Sequence, residues 1–341
     1  MGPAAQGSGA PPSSPKARSA PPSLLRAELR SAFRIFRSNP LSFAGFVIVV
    51  IICLTALLVA VAPGLVLPYP PLQPGPTAFS NPSWQHPLGT DELGEDMLSR
   101  VLAALPLDLG LGLGIAGISL VLGGALGLIA GYWDRPRTLG GVASAIILRL
   151  ADIFLAFPTL VLALAIFGAL GGGLNAAVVA LLVTWWPYYT RVTRGEVLSI
   201  KERPYVVAAR AAGVSELRIL TRHVLRNLLE PLAVYYTLDV GTVIVTFSTI
   251  AYAGGSGGIG FPLRDLEWGN MVQYYASNFL PAHPWPVFAP GLMIFITVLG
   301  FSLLGDGLRD VLDPRSRRVL GSVGEEAAPV RETAPATPGG A

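Results

Sequence analysis

From Phe43 to Leu65 the chain reads FAGFVIVVIICLTALLVAVAPGL, without one charged side chain. The hydrocarbon core of a bilayer is crossed by about 20 consecutive apolar residues of helix. In lipid every backbone N–H and C=O must also find its partner inside the protein. A stretch like this one is therefore expected to be a membrane-spanning helix. A secretory signal peptide is the rival, since Ala60-Val61-Ala62 resembles a cleavage site. Against it, the run starts only at Phe43 and exceeds the roughly 7–15 apolar residues of such a peptide. Pro63 directly after the site would also be a poor cleavage partner.

Five more apolar stretches follow: Leu105–Trp133, Leu148–Leu170, Leu174–Tyr189, Leu232–Ala253 and Val287–Leu304. Only 13% of the 341 residues are charged, against about 25% in soluble domains. The expected fold is an all-α integral membrane protein with six transmembrane helices. Gly110, Gly112 and Gly114, then Gly123, Gly124 and Gly127, would let the second span approach its neighbours closely. Trp185 and Trp186 with two tyrosines near the end of the fourth span suit a membrane interface.

The rest of the chain divides by composition. Residues 1–22 and 319–341 are rich in Pro, Ala, Gly, Ser or Glu and are expected to be disordered. Between Ser23 and Arg37, Leu25, Leu29, Phe33 and Phe36 line one face and Arg26, Arg30, Arg34 and Arg37 another. That is an amphipathic helix suited to an anionic membrane surface; a solvated basic arm is the alternative for its first turn. With the first span it makes a unit over 23–66. A polar, Pro-rich external loop covers 67–104, and a five-helix core with an embedded loop at 195–231 covers 105–318.

Charge orients this map. With six spans and a cytoplasmic N-terminus, all but two of the 24 Lys and Arg (Arg100 and Arg264) fall on the cytoplasmic side. That is the asymmetry of the positive-inside rule.

The segment Tyr205–Pro231 lies between apolar spans yet carries Arg210, Arg218, Arg222 and Arg226. Two helical pieces are readable. Gly213 suits the left-handed residue that closes the first. Ser215 offers an N-cap oxygen to the second, with Glu216 in its favourable first turn. Leu217, Leu220, Val224 and Leu228 fall at helical spacing on one side, and the three later arginines repeat every four residues. A basic helix–Gly–helix at the cytoplasmic face is a docking element; the bland alternative is an ordinary basic loop.

Ala208-Ala209, Gly213, His223-Val224-Leu225 and Asn227 resemble the E-A-A-x-x-x-G loop, with its His-x-Leu-Pro-type ending, of permease subunits of bacterial ABC importers. Val207 stands where that family usually has Glu, and Arg226 where it has Pro. Three further segments resemble its dipeptide/oligopeptide branch: HPLGTDELGEDMLSR at His86–Arg100, Trp268-Gly269-Asn270-Met271 preceded by Glu267, and LLGDGLRDVLDPR at Leu303–Arg315. Glu95 departs by replacing a usual Arg. Read without the resemblance, His86–Arg100 is an acidic turn with a short helix, its carboxylates (Asp91, Glu92, Glu95, Asp96) capping that helix, contacting a partner or forming a solvated face. The glycines at 254–260 read as a flexible re-entrant or surface loop.

The resemblance implies a cytoplasmic coupling helix that fits a groove in an ATPase subunit. It assigns docking to Ala208, Ala209, Gly213, Ser215, Glu216, Arg218 and Arg222. It implies two ABC ATPase subunits, a second homologous permease and an external substrate-binding protein as partners, in the inner membrane with both termini cytoplasmic. Peptides are the implied substrates, with nickel or oligosaccharides as minority uses. ATP and Mg²⁺ would sit on the ATPases, since this sequence has no G-x-x-x-x-G-K-[ST] phosphate loop. No cofactor, metal or nucleic acid is expected on the chain itself; its three His and one Cys are scattered.

A second class of function stays open from the residues alone. Asp108, Asp152, Glu230 and Asp239 lie in or near spans, where an ionisable side chain is a functional candidate. Asp239 and Asp152 are the candidates for a translocation path, or for coupling to an ion in a secondary transporter. Pairing with a neighbouring Arg is the structural alternative for Asp152 (Arg149) and Glu230 (Arg226). No nucleophile–base pair supports a membrane enzyme.

Overall fold

The computed structural model describes residues 36, 39–134, 137–262 and 266–312. Apart from Phe36, the amphipathic helix expected over Ser23–Arg37 lies outside the described residues, as do both tails and Arg264.

Every regular element described is helical. Helix α1, Pro40–Val61, starts at Asn39, whose side chain accepts from Leu41 N at 3.1 Å. Pro40 occupies the first helical position, where its missing N–H costs nothing. Helix α2, Met97–Tyr132, is 36 residues long. Helices α3, Leu139–Leu155, and α4, Thr159–Ala169, are separated at Phe157-Pro158 and bent by 86°. The single span expected over Leu148–Leu170 is therefore broken. Proline cannot donate to the helix ladder and pushes the residue before it out of helical geometry. Helix α5 is Gly173–Lys201, and α6, Pro204–Ala211, and α7, Glu216–Ile219, form the docking segment. A π-helical turn, Leu220–Val224, joins α7 to α8, Leu225–Ser256. Helices α9, Trp268–Asn278, and α10, Trp285–Leu312, complete the described chain.

Four of these are long and apolar enough to cross a bilayer: α1, α2, the continuous run Glu216–Ser256 and α10. The bent pair α3–α4 makes a fifth if counted as one span. Helix α5 is long enough at 29 residues, but Arg191, Arg194, Glu196 and Lys201 occupy its second half and it falls short in apolarity. Length and apolarity alone thus give four or five spans, where the sequence reading expected six.

Helix α2 packs along α5, and α8 and α10 pack on each other and on α9. The α2–α5 contact rests on a glycine row one turn apart. A Cβ on Gly123 would lie 2.7 Å from Tyr189 Cβ, one on Gly127 2.7 Å from Thr193 Cβ, and one on Gly131 2.9 Å from Val197 Cβ. Small residues are what let spans approach without a hydrophobic drive between them. Gly110 and Gly114, expected to share this role, face open space. The 254–260 glycines are not a single loop either: Gly254 and Gly255 lie inside α8, and a Cβ on Gly260 would lie 2.5 Å from the Gly255 Cα. The main core gathers Leu105, Ala116, Phe167, Leu181, Tyr189, Phe247, Trp268 and Tyr275. The outward rows of α1 (Ile51, Leu54, Leu57) and α10 (Phe288, Leu292, Phe295) are exposed and apolar, as lipid-facing helices require.

Candidate functional site

Three regions carry chemistry: the docking segment, a buried polar clamp at the opposite end of α2, and a cavity beside Asp239.

In the docking segment α6 ends as a Schellman motif. Gly213 has φ +76°, Val214 N donates to Ala209 O at 3.1 Å, and Gly213 N to Arg210 O at 3.0 Å. A Cβ at Gly213 would meet nothing within 4 Å, so the backbone conformation alone calls for glycine. Ser215 has extended geometry at the N-cap of α7, yet its side chain makes no capping bond, contrary to expectation. The buried face also differs. Leu217 is 70% exposed, while Ile219, Leu220, Val224 and Leu228 are buried. The π turn adds one residue to the helical repeat and rotates the register between α7 and α8.

The segment is tied to the rest of the chain through the end of α2. Arg210 Nε donates to Glu216 Oε1 at 3.0 Å, and the Tyr132 hydroxyl lies against both the Glu216 carboxylate and its backbone oxygen. Lys201 Nζ donates to the carbonyls of Gly131 and Tyr132 at 2.9 and 3.1 Å, closing the C-terminus of α2. Val197, Ile200, Val206, Ile219 and Val224 form a small core beneath. Glu216, expected as a docking residue, bonds Arg210 and Tyr132 while its side chain stays 44% exposed. Ala208, Arg218 and Arg222 are exposed and Ala209 is half-buried. With Val207 (52% exposed) and Leu217 they make an outward surface of apolar patches edged by arginines.

At the other end, two motifs far apart in sequence meet. Asp96 caps α2 by accepting from Ser99 N and Ser99 Oγ, both at 2.8 Å, and contacts His86 Nδ1 at 2.9 Å. Asp91 accepts from Leu93 N, Glu95 N, Arg100 Nη1 at 3.0 Å and the Tyr275 hydroxyl at 3.0 Å. Glu95 pairs with the same Arg100. Trp268 Nε1 donates to Val101 O at 3.0 Å and Trp268 N to Asp108 Oδ2 at 3.2 Å. Glu267 caps α9 through Gly269 N and Asn270 N, at 2.8 and 2.6 Å, and hydrogen-bonds Asp108. Gly269 is required because a Cβ there would strike the Ser248 backbone of α8. Asp91, Glu95 and Asp96 are thus buried, and the solvated acidic face considered from sequence is absent. Burial pushes the Asp91 carboxyl up, against the pull of Arg100 and Tyr275, and pushes Glu267 up to about 7.

Midway along α8, Asp239 is 9% exposed. Its Oδ2 accepts from Trp185 Nε1 at 2.6 Å and the Tyr189 hydroxyl at 2.8 Å, both on α5. Beside it opens a cavity of about 470 Å³, walled by Leu155, Thr159 and Leu160 at the α3–α4 break and by Thr184, Tyr188, Thr242 and Thr246. A second cavity of about 220 Å³ follows along α8 at Val245, Thr249 and Tyr252. Asp152 is not placed here; it pairs with Arg191 of α5, not Arg149, and its side chain is 39% exposed. Glu230 lines a separate polar cleft of about 400 Å³ near the docking end, with Glu196, Arg203 and Arg309. Among the described residues no cluster of His, Cys, Asp and Glu could hold a metal ion.

A bundle of apolar helices, one broken beside a cavity with a single carboxylate and one end carrying an anchored basic segment, places the chain among helical membrane proteins. The comparisons narrow the class. Residues 123–318 match the family described as binding-protein-dependent transport system inner membrane component, and 28–83 the N-terminal TM domain of oligopeptide transport permease C. The dipeptide transport system permease protein DppC of Alkalihalophilus pseudofirmus is 34% identical over 84% of this chain and 90% of its own. The nickel transport system permease protein NikC of Escherichia coli K12 is 35% identical over 78% and 92%. The probable D,D-dipeptide permease DdpC of Escherichia coli K12 is 36% identical over 83% and 90%. A solved inward-facing MetNI methionine ABC transporter chain aligns with TM-score 0.45 at 22% identity, over 60% of this chain and 94% of that one. The chain belongs to the family of binding-protein-dependent inner-membrane components, the permease subunits of ABC importers, in its dipeptide, peptide and nickel branch. The rival reading as an ion-coupled secondary transporter falls with that assignment.

Proposed function

We propose that this chain is the path-forming permease subunit of an ATP-driven importer of di- or oligopeptides, and that the loop 205–231 is its coupling element. The observation that carries the coupling role is the anchored docking segment. Its inner face is buried and bonded to the end of α2, while Val207, Ala208, Leu217, Arg218 and Arg222 face outward. A surface of this kind suits a groove on a partner ATPase. Closure of an ATPase dimer around ATP and Mg²⁺, both held by the partners, would push the segment. The Arg210–Glu216–Tyr132 contacts would pass the push to α2 and, through the glycine row, to α5. Rigid-body shifts of packed helices are the usual form of alternating access.

In this reading α5 is the fourth of six crossings, its charged half emerging on the cytoplasmic side with the docking segment and both termini. The α8 face that carries Asp239, Thr242 and Thr246 borders the path, completed by a second, homologous permease. An external binding protein delivers the substrate to the opposite end. The chain itself holds no cofactor.

The test is purification of the tagged chain from its native membranes in a mild detergent, with mass spectrometry of what accompanies it. Two P-loop ATPases or a homodimer of one, and a second permease, are expected. Recovery of the chain without any ATPase, under conditions that preserve other importers of the same membrane, overturns the coupling role.

A further inference from the structure

The Asp239 carboxylate sits mid-span with two neutral donors and no cation of its own chain: among the described residues no ion pair reaches it, and no Lys, Arg or His lines its cavity. A buried charge is stable only when paired or well hydrogen-bonded. Trp185 and Tyr189 hold one oxygen, Oδ2, in a fixed direction. They orient the group without neutralising it.

Hydroxyls of the wall, set among Leu155 and Leu160, share that polarity. Thr184 Oγ1 donates to Ala180 O at 2.9 Å, and Thr246 Oγ1 to Thr242 O at 2.8 Å. A hydroxyl has one proton to give, so both threonines spend theirs on the backbone and have only lone pairs left to offer. The rings of Trp185 and Tyr188 also line it, and an aromatic face attracts a cation within about 6 Å. One carboxylate, hydroxyl lone pairs and two aromatic rings make a cavity built to accept donors and positive charge.

We infer that the cavity beside Asp239 is a transient site for a primary ammonium group, the free N-terminus of a small peptide being the fitting case. An ammonium has three N–H donors on one small cation, matching a carboxylate flanked by oxygen acceptors. A transition-metal ion is the poorer match, since it favours imidazole or thiolate and would meet one carboxylate with hydroxyls. The break between α3 and α4 at Pro158 opens the cavity at this depth; interrupted helices are where transporters build mid-membrane sites. The inference rests on the permease reading and adds what the path recognises: Asp239 as the ammonium acceptor, Trp185 and Tyr189 as its positioning residues.

The experiment titrates the full chain in lipid nanodiscs with dialanine, and with N-acetyl-dialanine as the amine-blocked control, following tryptophan fluorescence. Dialanine is expected to give a saturable change, and the blocked peptide to bind at least about tenfold more weakly, the loss of one charge-assisted contact. Asp239→Asn should lose dialanine to the same extent, whereas Asp239→Glu should recover part of it. Equal binding of the two peptides by the wild-type chain overturns the site, and so does the absence of any saturable response up to tens of millimolar (on the order of a 2–3 kcal/mol interaction). The comparison of peptides on the wild-type chain decides even if Asp239→Asn does not fold. It needs no ATPase, so its failure is distinct from failure to recover one with the chain.

Discussion

At the scale of single residues, Gly213 and Glu267 define the two ends of the molecule. Gly213 was legible, since a glycine after an Ala-Ala helix announces a left-handed closure, and φ +76° bears that out. The Ser215 cap is equally legible and is not made; the neighbouring Glu216 bonds Arg210 and Tyr132 instead. At Gly213 the strain of any other residue is roughly 1–2 kcal/mol, with no collision. Gly213→Asp is therefore expected to leave the chain inserted at wild-type level but to lower transport-coupled ATP hydrolysis at least about tenfold, measured in reconstituted vesicles against Gly213→Ala. Unchanged hydrolysis in Gly213→Asp removes the docking role. Glu267 gives a pH prediction. Burial holds its carboxyl at about 7 against an unfolded 4.5. Between those values the folded chain keeps a proton that the unfolded chain has lost, so stability falls as pH rises, by roughly 3 kcal/mol across the window. Glu267→Gln keeps an acceptor for Gly269 N and Asn270 N, removes the titrating group and should flatten that fall. Thermal unfolding in detergent checks it: the variant should gain several degrees at pH 8 and little at pH 5. Parallel curves for the two proteins would mean that the buried Glu267 carboxyl does not carry the proton.

At the scale of elements, apolar runs located the helices and glycines located a contact, but geometry between elements was hidden. The break at Pro158 is marked in sequence by the proline; its 86° angle comes from how α4 seats on α5, which local pattern does not encode. The π turn at Leu220–Val224 is invisible to a 3.6-residue template, which places Leu217 on the buried face although it is exposed. The His86–Arg100 and Glu267–Met271 motifs read as separate segments, yet Asp91 bonds Tyr275 and Asp108 bonds Trp268 across the fold. Pairings of such sequence separation leave no mark on periodicity. The glycine row yields a prediction that sorts the glycines by contact. Gly127→Ala would put a Cβ 2.7 Å from Thr193 Cβ, and overpacking of this kind costs about 1–3 kcal/mol. Gly110→Ala fills open space and gains up to about 1 kcal/mol of helix propensity. In thermal unfolding the first should fall by roughly 2–4 °C per kcal/mol, and the second should hold or rise. The reverse order would place the close contact elsewhere.

At the scale of the whole molecule, charge carries more of the topology than apolarity does. Helix α5 falls short of a spanning helix by composition because Asn175, Thr184, Pro187, Tyr188, Tyr189 and Thr190 dilute its charge-free part, while the arginines that follow argue that it does cross. Were α5 not a crossing, the α2–α5 glycine row would join a span to a surface helix, and the basic docking segment would share a side with the acid-rich clamp of residues 86–100. The six proposed crossings would put the clamp outside and the docking segment inside. The two ends can be told apart chemically. In a Cys53→Ala background, which removes the only native thiol, a cysteine in place of fully exposed Trp84 tests one end, and one in place of Leu217, 70% exposed, tests the other. A membrane-impermeant maleimide added to intact cells should label Trp84→Cys and leave Leu217→Cys untouched. Inside-out vesicles stripped of peripheral proteins should give the opposite pattern, and adding the purified ATPase back should then protect Leu217→Cys. Labelling of both positions from one side would require an odd number of crossings fewer between them, which removes α5 from the membrane and the docking segment from the cytoplasm.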